Sequence, residues 1–143
     1  MANPGAATTV TVHPQVLSSN QAIRLIAYAT GVSLAATGDA AVTLPVINTT
    51  SYNITNVIVT DANKDVSAGA LAIWTGPGGT GTEIVTNATL TSNTSSAYVT
   101  KSTVVAATGT ANLSAQTFYV RVGTAVSGGT VDVFVYGTDF TAF

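Results

Sequence analysis

The sequence predicts an all-β fold, a single antiparallel β-sandwich, on three observations. Short segments with apolar residues at every second position recur at spacings of about ten residues. Thr and Ser supply most of the polarity, and Thr is a β-branched residue that favours strands. Pro and Gly interrupt most windows in which a helix would otherwise form. About eight short strands of this kind are typical of a two-layer, jelly-roll-like sandwich.

The predicted strands follow one another along the chain with turn-forming residues between them. Those before the last pair cover residues 8–12, 23–28, 41–44, 52–60, 70–75, 83–86 and 97–105. The run Gly-Pro-Gly-Gly-Thr-Gly at 76–81 predicts a tight turn, since a phosphate-binding loop would need Gly-Lys-Ser/Thr followed by a helix. The one weak helix candidate is a single turn within 87–95.

The last two strands, within residues 117–137, carry the clearest alternation and are predicted to form a β-hairpin. Each places three apolar residues on one face: Phe118, Val120 and Val122, and then Val131, Val133 and Val135. The connection between them contains Gly128-Gly129, which suits a hairpin turn. A paired hairpin would bring Arg121 close to Asp132, so we expect a cross-strand ion pair between them.

The domain organisation predicted is an extended N-terminal arm at residues 1–20 and a β-sandwich domain at 21–143. Pro4, Gly5 and Pro14 favour an extended path in the arm. We see no internal repeat or linker that would divide the rest of the chain.

The chain carries few charges. Charged residues make up 7% of it and the formal net charge is −2, whereas an average soluble domain has about 25% charged residues. This charge balance disfavours nucleic acid and anionic membranes as partners. There are no cysteines for disulfides, and no segment has the pattern of a secretory signal or a membrane span. We therefore expect a chain made in the cytoplasm whose neutral surface suits assembly with neighbouring proteins.

Catalytic patterns are missing from the sequence. His13 is the one histidine, it precedes Pro14, and no Gly-x-Ser-x-Gly segment accompanies it, which disfavours a Ser-His-Asp triad. Glu83 is the one glutamate, so a glycosidase would have to draw its pair of acids largely from Asp. The prediction is a protein that is not an enzyme and that needs no cofactor.

A weak metal candidate lies at Asp61, Asn63 and Asp65. Their spacing resembles the start of a calcium loop, but Val66 and Ala72 stand where an EF-hand needs Gly and an acid. The favoured interpretation is a turn in which Asp and Asn side chains bond nearby amides. A calcium site of another type stays open as an alternative.

Several landmarks, read in order, resemble a known group of proteins. They are Thr37-Gly-Asp39, Leu44-Pro45, the 52–60 strand, Ala70-Leu-Ala-Ile-Trp-Thr-Gly76, Phe118-Tyr-Val-Arg-Val122 and Val131-Asp-Val-Phe-Val-Tyr-Gly137. Over residues 35–137 this order resembles the β-sandwich or jelly-roll head decoration (cement) proteins of tailed bacteriophages. The resemblance implies a homotrimer on the outside of the capsid, bound to the major capsid protein, and it implies no catalytic residues.

The leading hypothesis is a virion protein that cements the assembled shell. Contacts with the shell or with other subunits are predicted in the arm, whose apolar residues have no sandwich of their own to fill: Val10, Val12, His13, Val16 and Leu17. One alternative is another virion module, in a tail, collar or fibre. The other is a carbohydrate-binding module, suggested by Trp74, Tyr119 and Tyr136, because aromatic rings stack on sugars.

Overall fold

The structure, a computed structural model, describes residues 23–94 and 98–141. Eight strands form the body of the protein, with a 3-10 turn at Pro77–Gly79 and a short helix, α1, at Ala106–Thr110. The strands are β1 Ile23–Ser33, β2 Gly38–Pro45, β3 Asn56–Thr60, β4 Ala70–Gly76, β5 Thr80–Thr89, β6 Thr100–Ser102, β7 Thr117–Thr124 and β8 Thr130–Thr138. The predicted arm, residues 1–20, lies outside the described residues.

The strands form two four-stranded antiparallel sheets. The first sheet has the order β1-β8-β3-β6 and the second has the order β2-β7-β4-β5. Consecutive strands therefore cross repeatedly from one sheet to the other, which is the eight-stranded jelly-roll arrangement. The predicted fold class, an antiparallel β-sandwich of jelly-roll type, is confirmed.

The core lies between the two sheets, and alternation along the strands fills it. In β8, Val131, Val133 and Val135 are fully buried, and in β7, Phe118 and Val120 are fully buried as well. The residues between them in sequence are partly or largely exposed on the two outer faces. Period-two patterning thus gives each sheet an apolar inner face, as expected for a sandwich.

An aromatic pair is packed within this core. The rings of Tyr52 and Phe118 meet edge to face, with centroids 5.9 Å apart. Burial raises the pKa of Tyr52, and its hydroxyl donates to the carbonyl of Ala115. Tyr52 lies ahead of β3, where isolated bridges join it to Leu113 and Asp139, so the predicted 52–60 strand is shorter than its sequence pattern suggests.

The predicted hairpin at 117–137 is wrong. β7 pairs with β2 and β4, whereas β8 pairs with β1 and β3, so the two strands belong to opposite sheets. Their connection crosses between the sheets and is held by Leu34, whose amide donates to Gly129 and whose carbonyl accepts from Val126. Arg121 and Asp132 are consequently on opposite outer faces, and the expected ion pair between them is also wrong.

The helical content differs from the weak prediction. Residues 87–89 belong to β5 and not to a helix. The helix that does form, α1, is a five-residue element with no side-chain cap. It is fastened instead by the Thr108 hydroxyl, which donates to the carbonyl of Glu83 at 2.5 Å. No helix in the described ranges is long and apolar enough to cross a bilayer.

A buried carboxylate ties the end of β8 to the neighbouring loop. Asp139 is 8% exposed, accepts from the Thr49 hydroxyl at 2.5 Å and forms an ion pair with Arg24 at 3.1 Å. Burial raises the pKa of Asp139, but hydrogen bonds from Thr49 and Thr141 and the charge of Arg24 outweigh it and hold the pKa below its usual value. Stability should therefore depend on the ionised form of this group.

Candidate functional site

The predicted contact residues in the arm, Val10, Val12, His13, Val16 and Leu17, lie outside the described residues. Their role stays a prediction. The candidate sites among the described residues lie on the body of the sandwich.

Asn63 and Asp65 of the calcium candidate take part in hydrogen bonds, those of Asn63 with the connection between β7 and β8 and that of Asp65 within its own turn. The Asn63 side chain donates to the carbonyl of Gly128 and accepts from the amide of Thr130, both at 2.9 Å. Asp65 accepts from the amide of Ser67 at 2.9 Å, and hydrogen bonding by Ser67 lowers the pKa of Asp65. Within 23–94 and 98–141, no group of three or more His, Cys, Asp or Glu side chains is placed to hold a metal. The bond from Ser67 to Asp65 is of the kind expected in a turn, whereas Asn63 joins this segment to the β7–β8 connection.

The outer face of the first sheet carries a group of aromatic and apolar side chains among polar ones. Four side chains lie on it in adjacent strands, and we call them the aromatic face: Tyr28, Ile58, Phe134 and Tyr136. In the strand register Phe134 lies between Tyr28 on β1 and Ile58 on β3. The rings of Tyr28 and Phe134 stack nearly parallel, with centroids 6.1 Å apart. Tyr28 remains 45% exposed.

Two charged residues, Lys101 and Asp132, lie next to the aromatic face. Lys101 on the edge strand β6 is the register partner of Ile58. Asp132 lies farther along β8, where it accepts from the amide of Gly31 at 2.8 Å. The solvent side of an antiparallel sheet is ordinarily polar, so a face of this composition is suited to contact with another protein.

The outer face of the second sheet carries a recess of about 210 Å³, which we call the tryptophan recess. It is lined by Ala72, Trp74, Glu83, Thr86, Asn87, Arg121 and Gly123. Trp74 of β4 lies opposite Glu83 of β5, and Ala72 lies opposite Arg121 of β7. The recess forms because Ala72 and Gly123 are small residues that lie between larger neighbours. A Cβ at Gly123 would overlap the Asn87 side chain, which extends towards β7.

On the side away from the recess, Arg121 contacts Asp39 and the turn between β4 and β5. Its guanidinium forms an ion pair with Asp39 of β2 at 3.3 Å. The second oxygen of Asp39 accepts from the amide of Gly78 at 2.6 Å, which anchors the turn between β4 and β5. Gly79, in the same turn, has a positive φ and lies against the Arg121 side chain. The turn and the ion pair together fix one wall of the recess.

Two larger grooves, of about 460 and 410 Å³, lie along the edge strand β6. Both are lined by Lys101, Ser102 and Val104. The Ser102 hydroxyl is buried and has no hydrogen-bond partner among the described residues. Apart from Lys101, the linings of both grooves have no charged or aromatic group. The two grooves therefore offer a ligand few charged or aromatic contacts, and they are less selective for a type of ligand than the tryptophan recess.

The comparison of the two outer faces identifies residues that the sequence did not suggest. Trp74 was a candidate from the sequence, but Glu83 and Asn87 join it only because β5 pairs with β4. Tyr136 belongs to the aromatic face, on the opposite side of the molecule from Trp74. Comparison with protein families, curated proteins and solved structures finds no match to the chain.

Proposed function

We propose that the protein is a virion structural protein that binds the outside of a phage capsid and stabilises the assembled shell. The observation that carries the proposal is the aromatic face, on which Tyr28 is exposed and Ile58, Phe134 and Tyr136 are partly buried, on a sandwich with little charge. Its partner in this proposal is the major capsid protein. The choice of a phage capsid as the partner rests on the resemblance of the strand motifs to head decoration proteins.

The physical basis of the stabilisation is burial of apolar surface. Each Å² of apolar surface removed from water contributes about 25 cal/mol, and a shell repeats the contact at every equivalent position. A protein that binds the assembled lattice and not its separated subunits shifts the equilibrium towards the lattice. The stacked rings of Tyr28 and Phe134 are suited to such contact because they bury a large area with few rotatable bonds.

The cementing function is tested with particles that lack the protein. Particles assembled without it should release DNA at a lower temperature than complete particles, and addition of the purified chain should restore the release temperature. Equal heat resistance with and without the chain would refute cementing.

We propose further that the chain acts as a homotrimer, as expected for a site at a capsid threefold position. Light scattering of the purified chain, alone and bound to shells, tests the oligomeric state. A trimer is expected at least in the bound form; bound copies that are monomers would refute it.

The alternative virion locations are a tail, a collar or a fibre. They use the same surface chemistry and differ only in where the chain sits. Labelled antibody against the chain, viewed on intact particles by electron microscopy, should decorate the head. Label confined to the tail or collar would replace the decoration proposal with this alternative.

A further inference from the structure

The geometry points to a second binding site, separate from the aromatic face: the tryptophan recess binds a single neutral sugar ring. This inference goes beyond shell binding, since it concerns the opposite sheet and a different class of ligand. Three observations support it: the volume of the recess, the side chains that line it and the ion pairs around it.

The size of the recess limits the ligand. Pockets for drug-sized ligands are about 300–1,000 Å³, whereas the recess has about 210 Å³. A ligand of one ring fits this volume, and a longer chain of sugars would have to extend into solvent. A recess that is open on the outer face of a sheet suits the terminal ring of a glycan.

The groups that line the recess match the two kinds of surface on a sugar. Trp74 is half-buried and offers an indole ring as a wall, against which the apolar C–H face of a sugar ring can pack. The hydroxyl groups of a sugar need both donors and acceptors. Arg121 supplies donors, Glu83 supplies an acceptor and the Asn87 amide supplies both.

The charges favour a neutral sugar over an acidic one. The positive charge of Arg121 is already balanced by Asp39 at 3.3 Å. The ion pairs formed by the described residues are Arg121–Asp39 and Arg24–Asp139, so the Glu83 carboxylate has no cationic partner there. The recess therefore carries one uncompensated negative charge, which would repel a uronate, a sialate or a phosphorylated sugar.

The local construction of the recess also favours binding with little rearrangement. Arg121 pairs with Asp39 and lies beside the turn that contains Gly79. Gly123 leaves the space that the Asn87 side chain occupies, so the amide is directed across the floor towards β7. Polar groups that are already in place lose less conformational freedom when a ligand binds.

The test uses the single tryptophan of the chain, Trp74, as the reporter. Methyl pyranosides of glucose, galactose, mannose and N-acetylglucosamine are titrated into the full chain while indole fluorescence and calorimetric heat are recorded. We expect a saturable response in both signals for at least one of these sugars, and a weaker response for glucuronate and N-acetylneuraminate. A saturable response to none of the neutral sugars, or tighter binding of the acidic ones, would overturn the inference.

Variants assign the binding to the recess. Asn87→Ala and Glu83→Ala should each weaken the affinity about tenfold or more, because each removes a hydrogen-bonding group. Asn56→Ala, on the outer face of the other sheet, is the matched control and should leave the affinity unchanged. If Asn87→Ala unfolds the protein, Glu83→Ala alone decides. Affinity that survives Glu83→Ala unchanged would refute the assigned site. Because the isolated chain is used, failure here does not affect the shell-binding proposal.

Discussion

The outer faces of the two sheets differ in both shape and chemistry. On the first sheet, the rings of Tyr28 and Phe134 stack side by side and form an apolar patch. On the second sheet, Trp74 borders a recess whose rim carries Glu83 and Arg121. An apolar patch can pack against a protein, whereas a small polar recess suits a small ligand. One sandwich can thus present two binding surfaces on opposite sides of a common core.

The core joins the two faces, and breaking it should produce the largest effect. Phe118 is fully buried between the sheets and contacts Tyr52. Phe118→Ala should lower the free energy of unfolding by about 3–5 kcal/mol, measured by urea denaturation. Phe140→Ala removes the same side chain from an exposed position and should cost far less. Similar losses from the two variants would contradict the described packing.

The next largest effect is expected at the end of β8, in the first sheet only. Asp139→Asn removes the ion pair with Arg24 and weakens the bond from Thr49. It should lower the free energy of unfolding by about 1–3 kcal/mol. Asp61→Asn is the control, because Asp61 is exposed and its φ of 51° is one that Asn also adopts readily. An equal loss in the control would contradict this role for Asp139.

The same carboxylate predicts how stability depends on pH. The pKa of Asp139 is lowered in the folded protein, so its contribution is present above the unfolded value of about 3.9 and is lost as the pH falls through the folded pKa. Urea denaturation of the wild type at several pH values should show stability falling in this acid range. In Asp139→Asn the fall should be smaller. An identical acid profile in both proteins would refute the assignment.

A smaller effect on stability is expected on the aromatic face. Tyr28→Ala removes the stacking partner of Phe134, and we expect a loss of about 0.5–1.5 kcal/mol beyond the effect of lost area. A double-mutant cycle with Phe134→Ala isolates the interaction energy. Energies that simply add in the double variant would show that the two rings are not coupled.

The smallest effect on stability is expected at the floor of the recess. In Gly123→Ala the new Cβ would overlap the Asn87 side chain and displace it from its place beside β7. Stability should change by no more than about 1 kcal/mol, since Ala is favoured over Gly in a strand. Sugar affinity should nevertheless fall. Thr43→Ala, on the same outer face but outside the recess, should change neither quantity. Undiminished affinity in Gly123→Ala would show that Asn87 has no part in binding.

The sequence predicted which residues of each strand face the core more accurately than it predicted which strands pair. Alternation correctly predicted that Val131 and Val133 face the core, because burial depends only on which side of the strand a residue occupies. The same alternation arises whether two consecutive strands pair or lie in opposite sheets. The predicted hairpin at 117–137 failed for this reason, and the Arg121–Asp132 pair failed with it.

The sites needed information that no local pattern contains. Trp74 could be selected from the sequence, but its neighbours Glu83 and Asn87 depend on the pairing of β4 with β5. The helix at Ala106–Thr110 was missed because Thr and Gly are poor helix formers, and a bond from Thr108 to Glu83 supports it from outside. Long-range contacts of this kind become visible only in the fold.

The most direct test of the proposed function is binding of the chain to shells that lack it. Purified wild-type chain is mixed with expanded shells and sedimented, together with Tyr28→Asp on the aromatic face and Thr43→Asp on the opposite face. We predict that the wild type and Thr43→Asp sediment with the shells and that Tyr28→Asp remains in solution while still folded. A wild-type chain that stays in solution, or a Tyr28→Asp variant that binds as well as the wild type, would contradict the proposal.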